Sequence, residues 1–76
     1  MTDVIIWGRV EQFAPASFLA IGTCIPASPV LAGRAEVLTE VSNSLDDAQK
    51  ALAEIVIALG VDARSRGDRV VDVETA

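Results

Sequence analysis

Two short stretches, VIIW at residues 4–7 and FLAI at residues 18–21, decide how this 76-residue chain folds. Both have the character of strands, and both are apolar at odd and even positions alike. Because successive side chains of a strand point to opposite faces of its sheet, such strands need cover on both faces. Only one later segment has the pattern of a good helix, and one helix covers one face. The sequence therefore predicts a second sheet face that something outside the monomer covers.

The remaining segments complete one domain, residues 1–76. We predict strands at residues 3–12, 17–25, 34–41 and 69–74, a loop at residues 30–33 and a helix at residues 45–66. The first two strands are close enough in sequence to form a hairpin. A helix between strands needs a right-handed crossover, so the last strand should lie parallel to a neighbour. The predicted fold is α+β, in the order β-β-β-α-β, with a mostly antiparallel sheet and one helix packed on one face.

The third predicted strand alternates along its length. Val37 and Val41 point one way, and Glu36, Leu38 and Glu40 point the other. This alternation is typical of an edge strand with one wetter face, and its paired glutamates discourage the addition of a further strand on that side.

The helix is predicted from its first turn and from one apolar stripe. Ser44 followed by Asp47 resembles a capping box, and acidic residues suit the positive end of a helix dipole. The stripe has apolar residues at three- and four-residue spacing, namely Leu45, Ala48, Leu52, Ile55, Val56, Leu59 and Ala63. Either Gly60 or Gly67 could end the helix, and the nearby arginines favour Gly67. Ile57 lies off the stripe, as either a stray exposed residue or a partner contact.

Composition limits the functional classes. The chain is 51% hydrophobic, and apolar residues in excess of a small core tend to end at interfaces. Its net charge of -5 argues against nucleic acid as a partner, because phosphate binding needs a positive field. The apolar run at residues 17–32 is too short to span a bilayer and is interrupted by prolines. Cys24 is the only cysteine, and Asp3 stands where a signal peptide would be basic, so we expect a cytoplasmic protein that binds no membrane.

Residues that carry chemistry are scarce. The chain has no histidine, which removes the usual base of serine and cysteine hydrolases and the commonest transition-metal ligand. Its five glycines are isolated and form no phosphate-binding loop. Arg64, Arg66 and Arg69 form a basic cluster, but interleaved aspartates favour mutual compensation over an anion site. We therefore expect no enzymatic activity, no catalytic residue, no metal site and no cofactor.

The helix start and the order of elements resemble a known family. Residues 44–48, Ser-Leu-Asp-Asp-Ala, match in kind the T-L-E-E-A phrase at the helix start of HicB-type antitoxins, and the strand-ending phrase IGTCIP at residues 21–26 is a weaker match. The N-terminal domain of that family is a truncated ribonuclease-H-like sheet with one helix. The family's tyrosine-rich second strand is missing, since the chain has no Tyr, and these residues include no counterpart of its C-terminal DNA-binding segment. The resemblance implies the fold and a habit of oligomerising.

A ribonuclease-H-like frame also raises a nuclease hypothesis. Catalytic members place carboxylates on the first strand, the helix and the strand that follows, where they bind two divalent ions. The nearest counterparts here are Asp3, Glu54 and Asp72. Because Asp3 is at the extreme start of its strand and Glu54 lies on the flank of the helix stripe, this hypothesis ranks below the others.

The functional prediction is an interaction surface on the outward face of the sheet. The expected interface residues are Ile5, Trp7, Leu19 and Ile21. Trp7 is the expected anchor, because Gly8, Ala20 and Gly22 on the opposite set leave room for a closely packed helix. The competing interpretation places Trp7 in the monomer core, with both glycines at bulges.

These patterns predict a non-enzymatic interaction domain, antitoxin-like by its resemblance. It should form a homodimer or other homo-oligomer, or dock a protein partner, through its apolar sheet face. The first alternative is a small-ligand-binding regulatory domain with its pocket at the oligomer interface. The second alternative is the carboxylate-dependent nuclease.

Overall fold

The computed structural model describes residues 2–28 and 35–75, and these residues form four strands and one helix. The elements are β1 (Asp3–Ala14), β2 (Ser17–Pro26), β3 (Glu36–Ser42), α1 (Leu45–Ser65) and β4 (Arg69–Thr75). The predicted α+β class and the order β-β-β-α-β are confirmed. The predicted loop at residues 30–33 and the predicted strand start at Arg34 lie outside the described residues.

The sheet has the strand order β3-β2-β1-β4, so β1 and β2 are its inner strands. β1 and β2 form the predicted antiparallel hairpin, closed by the pair Ala14 and Ser17. β2 and β3 are also antiparallel, and β4 is parallel to β1, as the right-handed crossover requires. Register shifts place irregularities at Phe13 in β1 and at Val71 in β4. The bulges therefore do not fall at glycines.

The helix packs on the sheet over a pair of glycines. Gly8 of β1 and Gly22 of β2 lie directly opposite each other and face α1. A methyl group on Gly22 would lie 2.2 Å from Cγ2 of Ile55, and one on Gly8 would lie 2.8 Å from Cδ1 of Leu52. Since a side chain at Gly22 would overlap Ile55 and one at Gly8 would force Leu52 to move, the two glycines form a trough in the sheet that allows α1 its close approach.

The core between α1 and the sheet is apolar and small. Its buried members are Val4, Ile6, Ala20 and Cys24 on the sheet and Ala51, Leu52, Ile55, Leu59 and Ala63 on the helix. Among the described residues, Ile6 and Leu59 are the largest fully buried side chains, and no polar or charged residue is buried as a whole. Several core members are alanines, which contribute little buried area. Burial of further apolar surface would therefore add substantially to the stability of this domain.

The first turn of α1 carries the predicted cap, but one of its apolar residues is not buried. The Asp47 backbone N–H donates to Oγ of Ser44 at 3.2 Å. Leu45, which the sequence placed in the apolar stripe, is 48% exposed. Helix side chains lean toward the N-terminus of their helix, so the side chain of Leu45 leans past the helix start. Ala51 lies in the core instead.

The other end of α1 is closed by a Schellman motif. The helix continues through Gly60, and Gly67 has a φ of 83°. The Gly67 N–H donates to the carbonyl of Arg64 at 3.0 Å, and the Asp68 N–H donates to the carbonyl of Ala63 at 2.9 Å. These two bonds satisfy carbonyls that the helix end would otherwise leave unpaired, and glycine adopts the left-handed conformation at little cost. The longer of the two predicted helices is therefore the one formed.

Replacing Ser44 with alanine should lower the free energy of unfolding by about 1 kcal/mol, because the first-turn amides lose an acceptor. Chemical denaturation followed by circular dichroism measures the change. Ser42→Ala is the matched control, since Ser42 belongs to β3 and makes no cap. An effect confined to Ser42→Ala would contradict the assignment of the cap.

Candidate functional site: the open sheet face

One face of the sheet carries no helix, and we call it the open face. Directly opposite residues of neighbouring strands point to the same face of a sheet. Trp7 of β1 lies opposite Thr23 of β2 and Glu74 of β4, and Thr23 in turn lies opposite Val37 of β3. These four residues form one row across the sheet, on the side away from Gly8 and α1.

The structure places all four predicted interface residues on the open face. These residues are Ile5, Trp7, Leu19 and Ile21. Trp7 is 53% exposed, and the other three are half-buried among their strand neighbours. Trp7 is therefore not a core residue of the monomer. The role of these residues in an interface stays a prediction.

The open face is larger than the sequence indicated, because other strands add apolar residues to it. Ile25 lies opposite Ile5, and Val41 lies opposite Leu19. Val37, in the row of Trp7, is also exposed. The alternation of β3 put Val37 and Val41 on one side of their strand, but it did not show which face that side shares with β2. The remaining β3 residues, Glu36, Leu38 and Glu40, lie on the helix side of the sheet, since Leu38 pairs with Gly22.

Charged groups on the open face concentrate on β1 and β4. Arg69 donates to the two carboxylate oxygens of Asp3 at 3.0 and 3.1 Å, and Arg9 forms an ion pair with Glu11 at 3.1 Å. Two further carboxylates make no ion pair with any residue of 2–28 or 35–75, and they belong to Asp72 and Glu74. The β3 side of the face is uncharged, with the side chains of Val37, Thr39 and Val41. The open face is therefore acidic along one side and apolar along the other.

A shallow hollow of about 380 Å³ lies beside the exposed tryptophan. Its lining includes Trp7, Ile21 and Thr23, with Arg9 and Glu74 on its charged side. Such a hollow can accept a bulky apolar group next to the indole ring. The open face could recognise a partner or a ligand through this hollow.

Two arginines of the cluster near the end of α1, Arg66 and Arg69, form ion pairs with carboxylates. Nη1 of Arg66 lies 2.6 Å from Oδ2 of Asp62 and 3.5 Å from Oε2 of Glu36. Nε of Arg66 lies 3.3 Å from Oδ2 of Asp68. A second hollow, of about 300 Å³, borders Arg66 and Cys24. Burial raises the pKa of the Cys24 thiol, which keeps it protonated and a poor nucleophile at neutral pH. The prediction of a compensated patch is thus confirmed for Arg66.

The three carboxylates of the nuclease hypothesis are not gathered into a metal site. Within residues 2–28 and 35–75 there is no group of three or more acidic or cysteine side chains that could hold a metal ion. Asp3 is engaged by Arg69, and Glu54 is on the exposed side of α1. The geometry gives two-metal chemistry no support at these residues.

The outer surface of α1 carries a smaller apolar patch. Ile57 and Val61, one helical turn apart, are 66% and 58% exposed. Their neighbours along the helix are polar or small, so the patch is narrow compared with the open face. Ile57 is thus exposed, which fits both of the interpretations that the sequence left open, a stray exposed residue and a partner contact.

No family model, curated protein or solved structure matches this chain. In the described part of the chain, no helix has both the length and the apolar character that crossing a membrane requires.

Proposed function

We propose that this chain is a non-enzymatic protein-interaction domain that forms a homo-oligomer, or docks a protein partner, through its open face. The observation that carries the proposal is the position of Trp7, half exposed in an apolar face that α1 does not cover. Monomeric soluble proteins seldom expose large contiguous apolar patches without a functional reason. The lone, buried Cys24 suits a reducing compartment, so we propose a cytoplasmic setting; an antitoxin-like role rests on the resemblance to HicB-type antitoxins.

The energetics of the open face favour association. Moving a large apolar side chain from water to a fully buried position contributes about 1.5–3 kcal/mol of free energy. A side chain that is already half-buried in the monomer can contribute roughly half of that when a partner covers it. Seven such side chains occupy the face, namely Ile5, Trp7, Leu19, Ile21, Ile25, Val37 and Val41. A homodimer buries the set twice, which gives a total comparable with the association cost of about 4–15 kcal/mol.

The double variant Trp7→Thr, Ile21→Thr should be a folded monomer under conditions in which the wild type associates. Threonine keeps the strand preference and removes the apolar surface. Light scattering measures the mass, and circular dichroism measures the fold. Trp7 is also the single tryptophan of the chain, so its fluorescence in the wild type should shift to the red as dilution exposes it.

The matched control is Ile57→Gln, Val61→Gln, which removes exposed apolar surface from α1 instead. This variant should retain the wild-type mass. A wild type that is monomeric at high concentration and binds no protein would contradict the proposal. An unfolded double variant would show that Trp7 and Ile21 stabilise the monomer itself.

The alternative of a small-ligand-binding domain rests on the hollow beside Trp7. In an associated form this hollow would be closed by the partner and would become an interface pocket. Binding of a small aromatic compound to the associated form, measured by equilibrium dialysis and absent from the Trp7→Thr, Ile21→Thr monomer, would favour this alternative.

A further inference from the structure

We propose that the occupant of the open face is a second copy of this chain, packed sheet to sheet, with the two-fold axis running parallel to the strands. This inference rests on the proposed function and adds the identity of the partner and the geometry of the contact. Three properties of the open face carry it: its extent, its charge distribution and the residues of the Trp7 row.

The extent of the face matches what a stable dimer buries. The molecule measures 42 by 20 by 15 Å, and β1, with 12 residues, runs along most of the long dimension. A specific interface buries about 800 Å² per partner, which is close to the area of one whole face of this domain. A partner that contributes a single helix or strand would leave much of the apolar set uncovered, whereas a second four-stranded sheet has the same extent and twist.

Sheet packing leaves few choices for the symmetry axis. Two face-to-face sheets keep their strand directions within about 30° of each other or cross near 90°. In the aligned case, a two-fold axis between the sheets lies either along the strands or across them. An axis along the strands, midway between β1 and β2, places β4 over β3 of the partner and β1 over β2. An axis across the strands places each strand over its own copy.

The charge distribution selects between these two axes. An axis across the strands would place β4 over the same strand of the partner, so that the uncompensated carboxylates of Asp72 and Glu74 would lie over the acidic strand of the other copy. Like charges in such positions oppose association. An axis along the strands places them instead over the uncharged side of β3, where they form part of a polar rim. The same axis places the ion-paired residues of β1 and β4 in one copy over β2 and β3 of the other copy, away from that copy's carboxylates.

The Trp7 row fits the same arrangement. Rotation about an axis along the strands reverses this row onto itself, so that Trp7 of one copy faces Thr23 of the other and Glu74 faces Val37. The bulkiest side chain of the row thus meets a small one, beside the hollow that Trp7, Ile21 and Thr23 line. An aromatic side chain seated in a hollow at the centre of the contact is the usual anchor of a protein interface.

Cysteine crosslinking tests the axis. Val37→Cys and Glu74→Cys are prepared as separate proteins in a Cys24→Ala background that is first shown to associate like the wild type. Each variant alone, and an equimolar mixture, is treated with a short bifunctional maleimide whose reach matches the sheet spacing of about 10 Å. We expect covalent dimer from the mixture and none from either variant alone, because only the mixed dimer brings position 37 close to position 74.

The outcomes separate the inference from the function on which it rests. Covalent dimer from either single variant, or none from the mixture although the proteins associate, would overturn the axis along the strands and leave the interaction domain standing. A wild type that is monomeric and captures an unrelated protein would overturn the second copy as the occupant. A wild type that neither self-associates nor binds protein would overturn the proposed function as well.

Discussion

Replacing Leu59 with alanine should lower the free energy of unfolding by about 4 kcal/mol. Leu59 is fully buried at 0% exposure between α1 and the sheet, where it packs near Gly22. Truncation of a buried leucine costs the lost transfer free energy plus the energy of the cavity, about 2.7–5 kcal/mol in total. The midpoint and slope of urea denaturation, at one fixed protein concentration, measure the change.

Ile57→Ala is the matched control for this truncation. Ile57 lies on the same helix and is similar in size, but it is 66% exposed. Its replacement should change the free energy of unfolding by less than about 0.5 kcal/mol, as expected for a surface position. Equal effects at positions 57 and 59 would mean that the helix presents a different side to the sheet.

Replacing Gly22 with alanine should cost about 2–3 kcal/mol, although alanine suits a strand better than glycine. The new methyl group would lie 2.2 Å from Cγ2 of Ile55 and 3.0 Å from Cδ1 of Leu59. Because Ile55 is β-branched and on a helix, its side chain has essentially one rotamer and cannot move aside. Overpacking of this kind costs about 1–3 kcal/mol or more, and the reduced entropy of the unfolded chain returns less than 1.

A double-mutant cycle with Ile55→Ala tests the reason for this cost. Removing Cγ2 of Ile55 eliminates the closest contact, so Gly22→Ala should cost much less in the Ile55→Ala background than in the wild type. Gly8→Ala is the matched glycine, since its methyl group would meet the flexible end of Leu52 at 2.8 Å and should be tolerated better. Additive effects of Gly22→Ala and Ile55→Ala would contradict the trough.

Much of the fold follows from local sequence rules. The strands at residues 4–7 and 18–21, the Ser44 cap and the stop at Gly67 depend on neighbouring residues, and each was predictable from them. The parallel position of β4 follows from the handedness of the crossover. The bulge at Val71 was not predictable, because a register shift depends on how two strands distant in sequence fit together.

The same limit applies to the candidate site. The smallness of Gly8 and Gly22 favoured the face of the sheet that meets the helix, but it left open the interpretation with Trp7 in the core. The alternation of residues along a strand shows which side chains share one face of that strand. It does not show which of these faces lies on the same side of the sheet as a given face of the neighbouring strand. With regular pairing from Val4 and Val70 onward, Trp7 would lie opposite a valine. The extra residue at Val71 places Glu74 there instead, so the acidic side of the open face depends on one bulge.

The position of β4 also sets the order in which the sheet is completed. β1, β2 and β3 pair with their neighbours in sequence, whereas Arg69 meets Asp3 across 66 positions of the chain. Contacts of such long separation form late, because the intervening chain must first be closed into a loop. During synthesis on the ribosome, β1 therefore waits with a bare hydrogen-bonding edge until residues 69–75 emerge. In that interval the β4 segment of another molecule can occupy the vacant place, and we expect exchange of β4 between chains to be the misassembly to which this topology is most exposed.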